Sequence, residues 1–363
     1  MIRADENGKP NITEVISDEF GRRYVCGELI GSGGQGAVYR TREDDARVIK
    51  IFGGDMAKTG VGKTEAEEVR ARYVARVHAL MALDILYGVK RVAMPDAALK
   101  APYCGYTMPL MQGLEGIGKQ SPGRQKMYCP YADSNDSLLK KFRVLGMLAG
   151  ILRDMHRKGL IYCDLSSSNV FVSKSPADYE VWLIDPDNIC FANRCRSCTG
   201  TGDFTAPEVA GRQSVNTPYS DIYSFAVVAF RYLTGEFPLV APPAGGGGWD
   251  DDDASGDDGS FEAGAGEYMY EIGGKPTGVP LGLVATEKIR KLFMMTFGKK
   301  GREVPTSRPT AEMWRKAFDE AADTLNFCVL ETELEDKDPG VKTVPRRRGC
   351  CFIGDECKWA ALE

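Results

Sequence analysis

The sequence lacks the long apolar segments that would cross a membrane. None of its 363 residues falls in a run approaching the roughly 18 consecutive apolar residues of a membrane-spanning helix. Residues 1–6 also lack the basic-then-apolar order of a secretion signal. Because 43% of the residues are hydrophobic and 27% are charged, the chain can bury a substantial core, which excludes a disordered or collagen-like protein. We therefore expect a soluble, cytoplasmic protein of one or two domains, with no membrane contact.

Histidine is scarce, and the cysteines do not indicate a disulfide framework. The chain has only two histidines, His78 and His156, and 11 cysteines. An odd number of cysteines without a secretion signal favours reduced thiols, some of them available to a metal, over disulfides. Cys195 and Cys198 have the C-x-x-C spacing of half a tetrahedral zinc site.

Basic residues are absent from residues 241–274, which carry nine acidic residues. A stretch so rich in glycine and aspartate buries too little apolar surface to offset the entropy lost on ordering, so we interpret it as an acidic surface insertion. The spacing of Asp250–Asp253 excludes an EF-hand, whose oxygen ligands alternate along the loop. The net charge of −5 argues against a nucleic-acid partner.

The periodicity of apolar residues predicts a β-rich region followed by a helical one. Alternation around glycines predicts strands over 23–40 and 46–52. Residues 64–83 have helical period, with one apolar stripe. The later pattern predicts a strand pair at 91–94 and 103–108 and helices over 136–158, 219–235, 284–297 and 308–326.

A glycine-rich motif, G-x-G-x-x-G-x-V, lies between two predicted strands. Its residues include Gly31, Ser32, Gly33, Gly36 and Val38. Glycines there let backbone amides approach phosphate oxygens without a Cβ in the way. A dinucleotide-binding turn would need a helix directly after the last glycine, whereas the sequence predicts a continuing strand. A second motif at 62–64 fails as a P-loop because position 57 is alanine.

Four polar residues follow this motif in an ordered series. Lys50 stands among apolar residues of a predicted strand. Asp164 and Asn169 lie in the loop after a helix that ends at Gly159. Asp185 ends a buried apolar strand, and Ala206-Pro207-Glu208 follows it.

In this order the motifs resemble those of the protein-kinase superfamily, and Ala206-Pro207-Glu208 matches its A-P-E signature unchanged. Asp221 resembles the aspartate that braces the catalytic loop, and Arg308 resembles the arginine that pairs with the A-P-E glutamate, here Glu208. The resemblance implies a two-lobed α+β fold with a small β-rich N-lobe and a larger helical C-lobe.

The resemblance also implies the domain organisation. An N-terminal extension (1–22) precedes a kinase domain (23–325), and a polar, Cys-containing tail (326–363) follows it. Within the domain we expect an N-lobe over 23–110 and a C-lobe over 111–325, with the acidic insertion in the C-lobe.

Site roles follow from the same resemblance. Asp164 would accept the proton of a Ser/Thr hydroxyl on a protein substrate, and Asn169 and Asp185 would bind Mg²⁺. The residues expected to bind ATP are Gly31, Ser32, Gly33, Gly36, Val38, Lys50, Met108 and Met111.

A helix glutamate should pair with Lys50, and Glu65, Glu67 and Glu68 are the candidates. On a helical wheel Glu68 lies opposite the apolar stripe, whereas the other two flank it. We favour Glu67, which lies deeper in the helix than Glu65. The alternative is that Glu67 only closes a capping box on Thr64.

Three positions depart from the family pattern. Cys163 replaces the arginine that commonly receives an activation-loop phosphate, so activity should not depend on that switch. Ser166 replaces a lysine, which predicts slow turnover. Asp185-Pro186-Asp187 replaces D-F-G but retains the metal-binding aspartate.

Residues 105–111, 185–187 and 308–314 resemble those of a bacterial group of kinases, some of which have helix-hairpin-helix or Cys-rich tails. Some of its members are encoded beside a von Willebrand A-type protein and a PP2C-type phosphatase, which are therefore candidate partners. Three tail cysteines, Cys328, Cys350 or Cys351, and Cys357, would leave a zinc site one ligand short. Scattered free thiols are the alternative.

The leading hypothesis is an ATP-dependent Ser/Thr protein kinase. A pseudokinase or nucleotide-binding scaffold is the alternative, motivated by Ser166 and by Asp185-Pro186-Asp187. Retention of the four polar residues favours the enzyme. A small-molecule kinase is disfavoured, because Ala206-Pro207-Glu208 serves protein-substrate docking in the resemblance.

Overall fold

The computed structural model divides the chain into two compact units. The first comprises residues 1–112 and 182–189, and the second comprises residues 113–181 and 190–363. The structure describes residues 3–4, 10–11, 15–33, 36–52, 63–120, 137–238, 271–272, 275–276, 279, 281–327 and 351–353. Most of the predicted acidic insertion and most of the tail lie outside the described residues.

An antiparallel six-stranded sheet forms the base of the first unit. The strands of this unit up to residue 112 are β1 (Arg3–Ala4), β2 (Pro10–Asn11), β3 (Val15–Ser17), β4 (Arg23–Gly33), β5 (Gly36–Thr41), β6 (Arg47–Phe52), β7 (Ala97–Ala98) and β8 (Gly105–Pro109). The strand order in the sheet is β3-β4-β5-β6-β8-β7. β1 and β2 form a separate hairpin.

Strand β6 supplies side chains to two apolar clusters because successive residues of a strand point to opposite faces. Ile49 and Ile51 belong to one cluster. Val48 and Phe52 belong to the other. The alternation therefore places Lys50 on the same face as Val48 and Phe52.

The predicted helix over 64–83 is confirmed as α1 (Lys63–Tyr87). Its buried stripe includes Val77 and Leu80. Tyr73, on the same stripe, stacks on Phe52 of β6 with ring centroids 4.6 Å apart. The helix thus packs on the face of the sheet that carries Lys50.

The predicted strand over 91–94 is wrong. In its place the structure has a single parallel bridge between Val92 and Leu183, and the strand that pairs with β8 is β7. Arg91 has a positive φ of 60°. Pro95 lacks the N–H that a ladder requires, so the extended pairing cannot continue through it.

The second unit is mainly helical. Its helices are α2 (Leu138–Arg157), α3 (Pro207–Ala210), α4 (Pro218–Thr234), α5 (Leu281–Val284), α6 (Glu287–Phe297), α7 (Lys299–Glu303) and α8 (Ala311–Asp323). The remaining strands of the chain are β9 (Leu114–Gly116), β10 (Leu160–Ile161), β11 (Val170–Ser173), β12 (Val181–Leu183), β13 (Cys190–Phe191), β14 (Glu271–Ile272), β15 (Lys275–Pro276), β16 (Asn326–Phe327) and β17 (Cys351–Phe352).

The predicted helices of this unit are confirmed, with shifts at their N-termini. The helix expected over 284–297 is divided, because Thr286 caps α6 by accepting a hydrogen bond from the Ile289 amide. The helix expected from 308 begins at α8, where Thr310 caps it. Trp314 of α8 is fully buried and packs against Phe225 and Phe293. Within the described part of the chain, no helix is both long enough and apolar enough to span a membrane.

Candidate active site

The glycine-rich motif forms the hairpin of β4 and β5, as the strand pattern predicted. Gly31 pairs with Val38 and Gly33 pairs with Gly36, while residues 34 and 35 lie outside the described residues. A Cβ built on Gly36 would lie 2.3 Å from the Ile51 carbonyl oxygen, so only glycine lets β5 approach β6 this closely. Because a strand follows the last glycine, the dinucleotide-binding alternative is excluded.

The apolar residues predicted to contact ATP share one cluster in the first unit. Met108 is buried on β8 opposite Val48. Val38 and Met111 are partly buried against the same cluster. The cluster gives this face of the sheet an apolar surface suited to a flat ring.

Lys50 is buried and paired with two carboxylates. Its Nζ donates to Asp185 Oδ1 at 2.5 Å and to Asp187 Oδ2. Burial lowers the pKa of Lys50, but the charges of Asp187 and Asp185 outweigh burial and hold the pKa above its ordinary value. The raised pKa keeps the Lys50 ammonium charged beside the two carboxyl groups.

Asp187 is the more deeply buried of the two acids. Burial raises its pKa to about 6, with Lys50 opposing the shift. Its Oδ1 is buried and has no hydrogen-bond partner among the described residues. Arg76 of α1 donates to the carbonyl oxygens of Asp187 and Ile189, which fixes this segment against the helix.

The prediction that Glu67 pairs with Lys50 is wrong. The Glu67 side chain is exposed, and the partners of Lys50 are Asp185 and Asp187. Glu67 lies in the first turns of α1, whereas the helix packs through residues further along, such as Val77. Asp187 thus occupies the pairing role that the sequence assigned to a helix glutamate.

The second unit brings Asp164 together with Asn169 and Thr201. The Thr201 hydroxyl donates to Asp164 Oδ1 at 2.6 Å. Asn169 Nδ2 donates to the Asp164 carbonyl oxygen at 2.8 Å, which leaves the Asn169 side-chain oxygen able to act as a ligand. Ser166, at the position of the missing lysine, lies 2.8 Å from the Ser168 hydroxyl.

Asp221 braces the loop that carries Asp164, as the resemblance predicted. Its carboxylate accepts the backbone N–H groups of Tyr162 at 2.8 Å and Cys163 at 2.9 Å. His156 Nε2 lies 3.0 Å from the same carboxylate. These bonds hold Cys163 at a φ of 74°, and such strained non-glycine residues are concentrated at functional sites. Asp185, with a φ of 62°, is a second example.

Two further links hold the segment around the A-P-E motif. Arg308 pairs with Glu208 through two hydrogen bonds of 2.7 Å, which confirms that predicted pair. The sequence did not single out Asn216, whose amide donates to the carbonyl oxygens of Cys163 and Thr199. Because the Asn216 amide connects positions that are far apart in the chain, no local sequence pattern predicts its role.

Each unit carries oxygen donors of the kind that Mg²⁺ binds. Carboxylate and amide oxygens are the protein ligands that this cation prefers. In the first unit Asp185 and the unpartnered Asp187 Oδ1 offer such oxygens, and in the second unit Asn169 does. No histidine or thiol is among them.

Comparison with known proteins agrees with this geometry. Residues 136–244 match the family model described as protein kinase domain. The chain is 36% identical over 107 residues to the serine/threonine-protein kinase pkn2 of Myxococcus xanthus, which is 27% of this chain and 13% of that protein. It is 24% identical over 323 residues to the protein kinase YegI of Escherichia coli, which is 85% of this chain and 46% of that protein.

A third relative is the serine/threonine-protein kinase PknJ of Mycobacterium tuberculosis, 24% identical over 227 residues, which is 60% of this chain and 35% of that protein. The chain thus spans less than half the length of each of these relatives. The fold is α+β, with a β-rich unit and a helical unit, and it resembles the fold of protein kinases.

Proposed function

We propose that the protein is an ATP-dependent protein kinase that transfers the γ-phosphoryl group to Ser/Thr hydroxyls of a protein partner. The observation that carries the proposal is the placement of Asp164, held by Thr201 and next to Asn169 in a loop braced by Asp221. The names of the bacterial relatives support Ser/Thr specificity.

Each residue has a role set by its chemistry. Phosphoryl transfer asks a protein mainly to position the reactants and to neutralise charge. Lys50 would hold the phosphates through its ammonium group. Asp164 would orient the acceptor hydroxyl and take its proton, since Asp164 Oδ1 already accepts one hydroxyl, that of Thr201. The apolar cluster with Val38, Met108 and Met111 would receive the adenine.

Asn169, Asp185 and Asp187 would hold Mg²⁺, which when bound neutralises charge on the phosphates. Asp187 is an addition to the set predicted from sequence, based on its buried, unpartnered oxygen.

The direct test incubates the purified chain with radiolabelled ATP, Mg²⁺ and a panel of unstructured peptides that contain serine, threonine or tyrosine. We expect label on serine or threonine, located by mass spectrometry, and none from the Lys50→Met variant. Transfer to water alone, or to tyrosine alone, would contradict the proposal.

Thr201→Ala should lower kcat by about 10-fold to 100-fold, because it removes a hydrogen bond to a charged group that positions Asp164. Thr201→Ser keeps the hydroxyl and should restore most of the rate. Steady-state kinetics with a peptide substrate separate this role from docking, since a docking role would raise KM and leave kcat unchanged. Equal losses in both variants would also contradict the positioning role.

Asp187→Ala should lower Mg²⁺-dependent ATP affinity and activity by about 10-fold to 100-fold, the usual cost of losing a supporting group at a metal site. Glu67→Ala is the matched control, because it removes an exposed acid from the helix that carries Arg76. It should change neither property. Calorimetric titration with ATP, with and without Mg²⁺, measures the difference. A larger loss of ATP affinity in Glu67→Ala than in Asp187→Ala would support the pairing of Glu67 with Lys50 that the sequence predicted.

Partners and location belong to the same proposal. On the family resemblance, the protein acts in the cytoplasm on a protein partner, and a von Willebrand A-type protein and a PP2C-type phosphatase are the candidates. The phosphatase is tested by whether it removes phosphate that this chain has transferred. The predicted zinc site in the tail involves Cys328, Cys350 or Cys351, and Cys357. Cys328, Cys350 and Cys357 lie outside the described residues, and only the backbone of Cys351 is described, in β17.

A further inference from the structure

Three cysteines of the second unit form a cluster that the proposed phosphoryl transfer does not use. Cys163 directly precedes Asp164, Cys190 lies in β13, and Cys195 follows a 3₁₀ turn at Ala192–Arg194. Their sulfur atoms all lie within 4.8 Å of one another. We call these three residues the thiol cluster.

The spacing of the thiol cluster suits a metal better than a disulfide. Cys163 Sγ and Cys190 Sγ are 3.8 Å apart. Thiolates bound to tetrahedral zinc at 2.3 Å are separated by about 3.8 Å, the edge of the tetrahedron, whereas a disulfide brings two sulfurs to about 2.05 Å. A disulfide would also leave the third thiol unexplained.

Backbone hydrogen bonds hold the thiol cluster in place. β10 pairs with β13, so that Ile161 lies opposite Cys190. The Ala192 amide donates to the Gly159 carbonyl oxygen at 2.8 Å. Asp221 fixes the Cys163 backbone through its N–H. The ligand atoms are therefore brought together by the fold, and an ion would not have to assemble them.

The cluster is also accessible from one side. Cys163 is buried, whereas Cys190 and Cys195 are partly exposed. Cys198, the second member of the C-x-x-C pair, is exposed, and its Sγ lies 3.5 Å from the Ser214 carbonyl oxygen. The sequence-based pairing of Cys195 with Cys198 is thus replaced by one of Cys195 with Cys163 and Cys190.

We propose that the thiol cluster binds a thiophilic divalent cation of the zinc class through three thiolates, with the fourth position open to solvent. Each thiol gives its proton to solvent as its sulfur binds the cation, so three thiols and one Zn²⁺ yield a bound ion and three protons, without an oxidant. Soft thiolate ligands and tetrahedral geometry select this class of metal over Mg²⁺.

The ion would tie the segment that leads to Thr201 to the loop that carries Asp164. This consequence rests on the proposed function, because it concerns the positioning of Asp164. The family resemblance places an arginine at position 163 to receive a phosphate from that segment. Here a metal would make the same connection through Cys163.

The test measures bound metal in the 363-residue chain with its tail cysteines (328, 350, 351 and 357) changed to serine, purified under reducing conditions without chelator. We expect about one zinc per chain by elemental analysis, and Co²⁺ substitution should give thiolate-to-cobalt charge-transfer absorption. Cys163→Ser, Cys190→Ser and Cys195→Ser should each lose both signals. Cys104→Ser, which removes a buried thiol of the other unit, should keep them.

Two variants, Cys195→Ser and Cys198→Ser, sharpen the result. Because Cys195 is partly exposed, Cys195→Ser should fold normally and keep its circular dichroism spectrum. Loss of metal from this folded variant would show that Cys195 binds the metal and is not needed only for folding. Cys198→Ser should retain the metal. Loss of metal from Cys198→Ser would show that Cys198 is the fourth ligand and that the fourth position is not open to solvent. Absence of metal from the parent chain, or a Cys163–Cys190 disulfide under reducing conditions, would overturn the proposal itself.

Metal content does not depend on phosphoryl transfer, so the two proposals fail separately. Asp164→Asn, which should be inactive, is expected to keep its zinc. If that variant and the parent bind zinc but neither phosphorylates any peptide, the metal site stands and the proposed function fails.

Discussion

Replacing Asp164 with alanine should lower phosphoryl transfer by about 10²–10⁴-fold, the range for losing a general base. ATP affinity should change little, because Asp164 contacts Thr201 and Asn169 and contributes no group assigned to the nucleotide. Single-turnover assays with labelled ATP measure the chemical step, and a thermal shift with Mg-ATP measures binding through linkage.

Asp185→Ala is the informative comparison. It removes a proposed metal ligand and a partner of Lys50, so Mg²⁺-dependent nucleotide binding should fall together with transfer. The kinase hypothesis therefore requires both variants to lose phosphoryl transfer, and only Asp185→Ala to lose Mg²⁺-dependent ATP binding. If Mg-ATP raises the melting temperature of the unsubstituted protein but the protein transfers no phosphate to any substrate, the scaffold hypothesis replaces the kinase hypothesis.

The residues that the sequence could identify are those whose motifs are local. The hairpin at Gly31 and Gly36 follows from glycines between two alternating runs, and both strands formed as expected. Asp164 and Asn169 are five positions apart in one loop, and the structure joins them directly. In such cases the residues lie close together in space because they are close together in the sequence.

The sequence failed at contacts between distant segments that no family motif marks, whereas the motifs did predict the pair of Arg308 with Glu208. Lys50 is separated from Asp187 by 137 positions, and nothing near either residue signals the pair. Helical periodicity located the apolar stripe of α1 but did not show which turn lies near Lys50, so Glu67 was chosen wrongly. The C-x-x-C spacing indicated Cys198 as the neighbour of Cys195 in a metal site. In the structure the pairing of β10 with β13 places Cys190 in the thiol cluster instead.

Glu208→Ala should destabilise the second unit by about 3–5 kcal/mol, the cost of leaving one partner of a buried ion pair uncompensated. The Arg308 side chain is fully buried and pairs bidentately with Glu208. Arg308 Nε and Nη1 also donate to the carbonyl oxygens of Gly301 and Tyr219, and these bonds hold the guanidinium in the interior when the carboxylate is removed.

Glu287→Ala is the matched control, because Glu287 pairs with Lys291 at 2.6 Å on the surface, where both side chains are about 70% exposed. Exposed pairs contribute little, so its urea midpoint should match that of the parent chain. The double variant Glu208→Leu with Arg308→Met should be more stable than Glu208→Ala, because it removes the buried charge together with its partner. Urea unfolding monitored by circular dichroism compares the variants, provided that the slope of the free energy with denaturant is unchanged. A midpoint for Glu208→Ala equal to that of Glu287→Ala would show that the buried pair does not hold the A-P-E segment.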